Sequence, residues 1–160
     1  FAAPVWADSN FAVTDFELLD LTLRLTDPKK VAAIDAEEQE KIRMMDDLIK
    51  KGLASTEGFV VKHVSEEDKN NADKSVGYLF DCAKCSADLG RKYNADYILV
   101  GRLHKPTYLF SYIIVRIFDV KENRLVKEYR TEAKGKPSKS VPGAIGNIVI
   151  KIRKDIPINE

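Results

Sequence analysis

Histidine and cysteine are scarce in this sequence: each occurs twice in 160 residues. Covalent hydrolytic chemistry needs a nucleophile beside a base, and metal chemistry needs a cluster of imidazole, thiolate or carboxylate ligands. Neither His63 nor His104 sits in a motif, and the chain has no His-Glu-x-x-His, no Gly-x-Ser-x-Gly and no Gly-rich phosphate loop. No catalytic residue and no cofactor are therefore expected. Excess charge is missing too, since 26 Lys and Arg stand against 25 Asp and Glu for a net charge of +1. So weak a field argues against nucleic acid as a partner. Lys134, Lys136, Lys139, Lys151, Arg153 and Lys154 do cluster late in the chain, and they read as solvated ends and helix faces rather than as a binding patch. No apolar run reaches the roughly 18 residues of a transmembrane segment.

What the chain does have begins at its first residues. Phe1-Ala2-Ala3-Pro4-Val5-Trp6-Ala7 is small or apolar and ends in Val-x-Ala before the polar Asp8-Ser9-Asn10. The tail of a secretory signal peptide meets its cleavage site in this way. Residues 1–7 are thus expected to be a signal-peptide remnant and residues 8–160 one domain, a length that buries a core of its own. The expected compartment is a bacterial periplasm, with the protein soluble there.

Hydrophobic periodicity predicts a mixed sheet with helices. Residues 11–18 alternate as a strand, with Phe11, Val13 and Asp15 on one face and Ala12, Phe16 and Leu18 on the other. Residues 19–36 have turn residues and weak periodicity and read as a surface excursion. Over residues 37–54, Ile42, Met45, Leu48, Ile49 and Leu53 recur at helical spacing, while Glu37, Glu38, Glu40, Asp46 and Lys50 take the remaining arc. Residues 58–64 read as a strand and the polar residues 65–75 as a loop. A helix is predicted over residues 82–93, N-capped by Asp81 and ended by Asn94 in the left-handed conformation. Residues 97–104 form a strand whose continuous Ile98-Leu99-Val100 implies burial on both faces. Residues 108–120 and 125–131 form a hairpin across a turn containing Asn123. The first of these two strands is apolar on both sides. A last helix follows Ser140-Val141, with Pro142 in its first turn and Ile145, Ile148, Val149, Ile152 and Ile156 as its stripe. The sum is an α/β chain of the α+β, mixed-sheet kind, with about five strands and three helices.

Several segments together resemble one family of envelope domains. Phe11-Ala12-Val13-x-x-Phe16-Glu17, Leu48-Ile49-Lys50-Lys51-Gly52-Leu53, Phe59-Val60-Val61, Ala95-Asp96-Tyr97-Ile98-Leu99-Val100-Gly101 and Val115-Arg116-Ile117-Phe118-Asp119-Val120 are similar to the amino-terminal domain of TolB. Related domains occur in the curli secretion channel and in lipoprotein activators of penicillin-binding proteins. The run from Asp81-Cys82-Ala83-Lys84-Cys85 to Asn94-Ala95-Asp96-Tyr97 resembles more particularly a group of proteobacterial periplasmic proteins with Cys-x-x-Cys before the third strand. Some members of that group are encoded near quinoprotein alcohol dehydrogenases, so the resemblance implies an accessory role in periplasmic oxidation. The propeller that follows in TolB is not in this sequence.

Three roles stand open for Cys82 and Cys85. An exported pair three residues apart suits a local disulfide. A helix N-terminus also favours a thiolate, which would make the pair a thiol–disulfide oxidoreductase site. With His63 and His104, which end the two flanking strands, the pair would form a tetrahedral zinc set. Against the redox role, Cys82, Cys85, Leu89 and Tyr93 share one helical face, which turns the sulfurs inward. Asp15 and Glu17 end the first strand, and with His104 they are candidates for a small-molecule or metal pocket at the strand ends. The leading expectation is a non-catalytic accessory protein whose partner is a periplasmic protein, with a homodimer also open; the alternatives are a periplasmic small-molecule or metal-binding protein and a thiol–disulfide oxidoreductase. Its contact surface is expected at the aromatic hairpin residues Tyr108, Phe110 and Tyr112, because large uncovered apolar patches mark interaction sites.

Overall fold

The computed structural model describes residues 8–22, 27–76, 78–107, 110–134 and 137–156. Among the described residues six strands form one mixed sheet: β1 (Ser9–Val13), β2 (Glu17–Asp20), β3 (Phe59–His63), β4 (Tyr97–Lys105), β5 (Ser111–Asp119) and β6 (Arg124–Ala133). The order is β3-β1-β4-β5-β6, with β2 lying against the far half of β4. β1 runs parallel to β3 and β4, and β2 is parallel to β4, whereas β4, β5 and β6 are antiparallel neighbours. Four α-helices accompany them among the described residues: α1 (Pro28–Ala54), α2 (Glu66–Val76), α3 (Ala83–Lys92) and α4 (Pro137–Asp155), with a 3-10 turn at Leu79–Asp81.

Helices cover both faces, which explains the apolar runs of the central strands. Leu99, Leu103, Ile113, Val115 and Ile117 share a core with Met45, Ile49 and Leu53 of α1 and Ile145, Ile148 and Ile152 of α4. On the other face Ile98, Val100, Ile114 and Phe118 pack with Leu79, Phe80 and Leu89. Leu48, expected in the core, is only partly buried against it.

The expected first strand is two strands. Val13 pairs with Leu99 and Glu17 with Arg102, so four steps along one strand match three along β4. One extra residue is accommodated as in a bulge, and side chains beyond it change face. Phe16 and Leu18 thereby join the α1 and α4 side with Phe11 and Val13, correcting the alternation read from the sequence. Two contacts hold the break. The Phe16 amide donates to Asp46 Oδ1 at 2.7 Å, and the Phe16 ring lies where any Cβ on Gly101 would be, 2.1 Å from its nearest atom. Only glycine lets the ring approach β4 so closely.

Three expectations about helices change. The supposed excursion contains the start of α1: the Asp27 side chain accepts from the Lys29 amide at 3.0 Å and Pro28 occupies the first turn, an N-terminus in which cap and proline matter more than periodicity. The supposed polar loop contains α2, started by Ser65, whose Oγ accepts from the Asp68 amide at 3.1 Å, and favoured by Glu66, Glu67 and Asp68 in its first turn. α2 is polar on nearly all sides, so periodicity hid it. α4 begins at Pro137, leaving Pro142 inside the helix rather than in its first turn. Asn94 and Asn123 both take the left-handed conformation, each with φ 53°, as expected for a helix end and a hairpin turn.

Candidate functional site

The carboxyl ends of β1 and β3 carry a compact set of titratable groups. Asp15 lies just past β1 in the break, where its Oδ1 accepts from Lys50 Nζ of α1 at 2.9 Å and stands 3.0 Å from Nε2 of His63 at the end of β3. Burial pushes the Asp15 carboxyl up, but the Lys50 and His63 bonds outweigh it and hold the group below its ordinary value. Asp46, one turn before Lys50 on the same helix, is 8% exposed. Its desolvation outweighs the Phe16 hydrogen bond, and the nearby Asp15 charge adds to the effect, raising the carboxyl to about 7. Asp46 was expected on the polar arc of α1. It lies four residues after Ile42 and three before Ile49, so helical spacing places it within the apolar stripe, and that spacing was the available signal.

Glu38 makes the same correction about two turns earlier. It is buried and receives Lys41 Nζ at 2.9 Å and Lys105 Nζ at 3.2 Å. Asp20, which closes β2, stands 3.8 Å from the same Lys105 Nζ. Two carboxylates and two lysines thus bind the end of the β2–β4 pair to α1, balanced in charge as a buried cluster must be.

Glu17 and His104 project to the other face of the sheet. Glu17 pairs with Arg102, and burial of its carboxyl outweighs that pairing and raises it. Arg102 and Arg116 each place a guanidinium 4.1 Å from the centre of the Phe80 ring. Both also reach Asp81, at 3.2 and 3.3 Å. This arginine–aromatic stack fastens the 3-10 turn to β4 and β5, and pattern reading missed it because its members come from three separate elements. His104 pairs across the sheet with Tyr112. Burial, with Arg102 and Arg130 nearby, lowers its imidazole and so favours the neutral form. Asp15 therefore stands apart from the other two: it faces Lys50 and His63, whereas Glu17 pairs with Arg102 and His104, opposite Tyr112, has the same Arg102 nearby.

At the opening of β5, Phe110 and Tyr112 are half-buried, with ring centres 6.0 Å apart at 62° and the Arg130 guanidinium 5.3 Å above Tyr112. Tyr108 lies outside the described residues. Ile114 and Phe118, further along the same face, are buried under α3 and the 3-10 turn.

The sulfurs of Cys82 and Cys85 stand at disulfide distance, with Cα atoms 5.3 Å apart. Cys82, not Asp81, is the N-cap of α3, its sulfur accepting from the Cys85 amide at 3.2 Å. Cys85 borders an open groove of about 590 Å³ between α2 and α3, floored by Ala72 and Leu89 and edged by the ion pairs Lys84–Asp88 and Lys92–Asp68. Among the described residues no three of His, Cys, Asp and Glu gather as a metal site, and His63 bonds Asp15 instead of approaching the cysteines. No described helix is long and apolar enough to cross a membrane.

Several solved bacterial structures share this arrangement. The LpoB C-terminal domain of Salmonella enterica aligns over 84% of this chain and 88% of its own at 12% identity, with a TM-score of 0.50. The PelC dodecamer of Paraburkholderia phytofirmans aligns over 98% and 92% at 11% identity and TM-score 0.54. TolB of Acinetobacter baumannii matches 92% of this chain but 28% of its own, at 10% identity and TM-score 0.51. At such identities the likeness is one of fold, and the fold is the TolB amino-terminal kind. Among curated proteins none matches in sequence. The model of a family described as "Protein of unknown function (DUF2380)", DUF3280, covers residues 9–151, and the chain belongs to that family.

Proposed function

We propose that this protein is a non-catalytic accessory domain of the bacterial periplasm that acts by binding a protein partner. Tyr108, Phe110 and Tyr112 form the contact surface in this reading. One observation carries it: Phe110 and Tyr112 remain half-buried beside Arg130, while the other apolar residues of β5, Ile113, Ile114, Val115, Ile117 and Phe118, are buried. Aromatic rings with an arginine are the residue types that dominate binding energy at protein interfaces. The resemblance to envelope docking domains supports the same reading, and the PelC structure, solved as a dodecamer, keeps a second copy as the alternative partner. Service to quinoprotein alcohol oxidation is the specific setting proposed. The proposal also includes export, with residues 1–7 as the signal-peptide remnant and residues 8–160 as one domain, and a Cys82–Cys85 disulfide that pins the start of α3.

The test is capture of a partner by tagged protein from its native periplasm. Phe110→Ala combined with Tyr112→Ala should remove the captured protein and leave the thermal midpoint close to wild type. Cys82→Ser with Cys85→Ser should lower stability more than capture. Equal capture by the aromatic variant, or a disulfide reductase activity that disappears in Cys82→Ser, refutes the reading.

A further inference from the structure

The basic residues late in the chain form a pattern that only the fold displays. α4 buries Val141, Ala144, Ile145, Ile148, Val149 and Ile152. At 3.6 residues per turn it therefore points Lys139, Gly143, Gly146, Ile150 and Lys154 outward in one line, and all five are exposed. Beside this line an open groove of about 290 Å³ runs between α1 and α4, with Leu48, Ile145 and Val149 at its floor and Pro142, Ile150 and Arg153 among its walls. Ile150 is 50% exposed.

The two kinds of glycine on this side differ. A Cβ on Gly52 of α1 would lie 2.8 Å from Val149, so Gly52 allows α1 and α4 to pack closely. A Cβ on Gly143 or Gly146 would meet no atom within 4 Å. Glycine is among the poorest helix formers, and nothing inside the fold uses these two. They leave space for another backbone to approach α4 from outside.

Charge indicates what approaches. Lys139, Lys151 and Lys154 are exposed and have no ion pair among the described residues. Arg153 is held by Thr56, and Asp155 is taken by Tyr129 and Lys127. A second copy laid antiparallel on this line would set Lys139 against Lys154, and a parallel one would set each lysine against itself. Such like-charge contacts disfavour self-association. The groove supplies apolar contact and the lysines select an anion-bearing occupant.

We propose that the α1–α4 groove and the outward line of α4 dock an acidic helical segment of a partner protein. Small residues of that segment rest on Gly143 and Gly146, and its carboxylates meet Lys139 and Lys154. This extends the contact-protein reading to a second surface. α1 and α4 lie on the opposite face of the sheet from the core that Tyr112 packs against, so either surface can fail without the other.

The probe is a labelled synthetic helical peptide matching α4 in length, alanine and glycine on one face and glutamates along its flanks, titrated by fluorescence anisotropy. Saturable binding is expected, weakened about tenfold or more by Lys139→Glu with Lys154→Glu and reduced by added salt. Gly146→Leu, whose side chain enters open space, should block binding while leaving the thermal midpoint at or above wild type. Phe110→Ala should leave peptide binding unchanged. The proposal is overturned by absence of saturable binding, by equal binding of a peptide with lysine in place of glutamate, or by insensitivity to Gly146→Leu. Loss of peptide binding in folded Phe110→Ala overturns it by moving the contact to the hairpin. Binding of phosphatidylglycerol vesicles or duplex DNA without the acidic peptide overturns it in favour of a general anionic surface. A dimer in sedimentation velocity that Gly146→Leu dissociates overturns it in favour of a second copy.

Discussion

Asp46→Asn isolates what a buried carboxyl costs this fold. The asparagine retains a side-chain oxygen to accept the Phe16 amide, so the clasp on the strand break survives and only the titration is lost. In the folded protein the Asp46 carboxyl sits at about 7 against an ordinary 3.8, through burial first and the Asp15 charge after it. A carboxyl raised on folding leaves the unfolded chain binding fewer protons than the folded one between those two values. Its contribution is therefore most favourable below about pH 4 and is lost as pH rises through about 7. Fully ionised, the shift from 3.8 to about 7 amounts to about 4 kcal/mol, and about 3 kcal/mol of it accumulates between about pH 5 and pH 8. Asp15, held below 3.8 by Lys50 and His63, makes the opposite contribution and titrates below this window. Urea unfolding of wild type and Asp46→Asn at a series of pH values should thus give curves that lie closest below about pH 4 and diverge steadily in the variant's favour towards pH 8. Parallel curves across the window, or a divergence in the wild type's favour, would refute the reasoning.

Gly101→Ala drives a methyl group into the Phe16 ring and should destabilise by about 1–3 kcal/mol; partial recovery by adding Phe16→Leu, read from denaturation midpoints, checks that the clash is with that ring. Leu99→Ala should cost about 2–5 kcal/mol, since Leu99 is fully buried on the α1 and α4 side of β4, and an unchanged midpoint would contradict its place there. Alkylation of native protein without reductant should leave the intact mass unshifted if Cys82 and Cys85 are joined. Two added labels would reopen the metal and redox readings. Removing the pair should cost about 2 kcal/mol at most, because a cross-link over so short a loop restrains little of the unfolded chain.

Elements with a strong apolar period are legible in the residue pattern alone. Ile42, Met45, Ile49 and Leu53 locate the second half of α1, and Ile145, Ile148, Val149, Ile152 and Ile156 locate α4. Elements set by their ends are not. α2 rests on a serine cap and an acidic first turn, and the first turns of α1 rest on Asp27 and Pro28. Such signals are one or two residues long and are easily taken for a turn.

The mixed α/β class, the apolar runs of β4 and β5 and the left-handed Asn94 and Asn123 follow from local spacing and residue type, and the strand and helix motifs resemble the TolB amino-terminal fold. Tertiary structure alone decided the one-residue slip between β1 and β2, the burial of Asp46 and Glu38, the stacking of Arg102 and Arg116 on Phe80, and the separation of Asp15 from Glu17 and His104. Each of these depends on residues distant in the chain meeting across the sheet, where a single slipped residue reverses which face a side chain takes. The environment of a charged group is then fixed by what packs over it, and no window of the sequence contains that information.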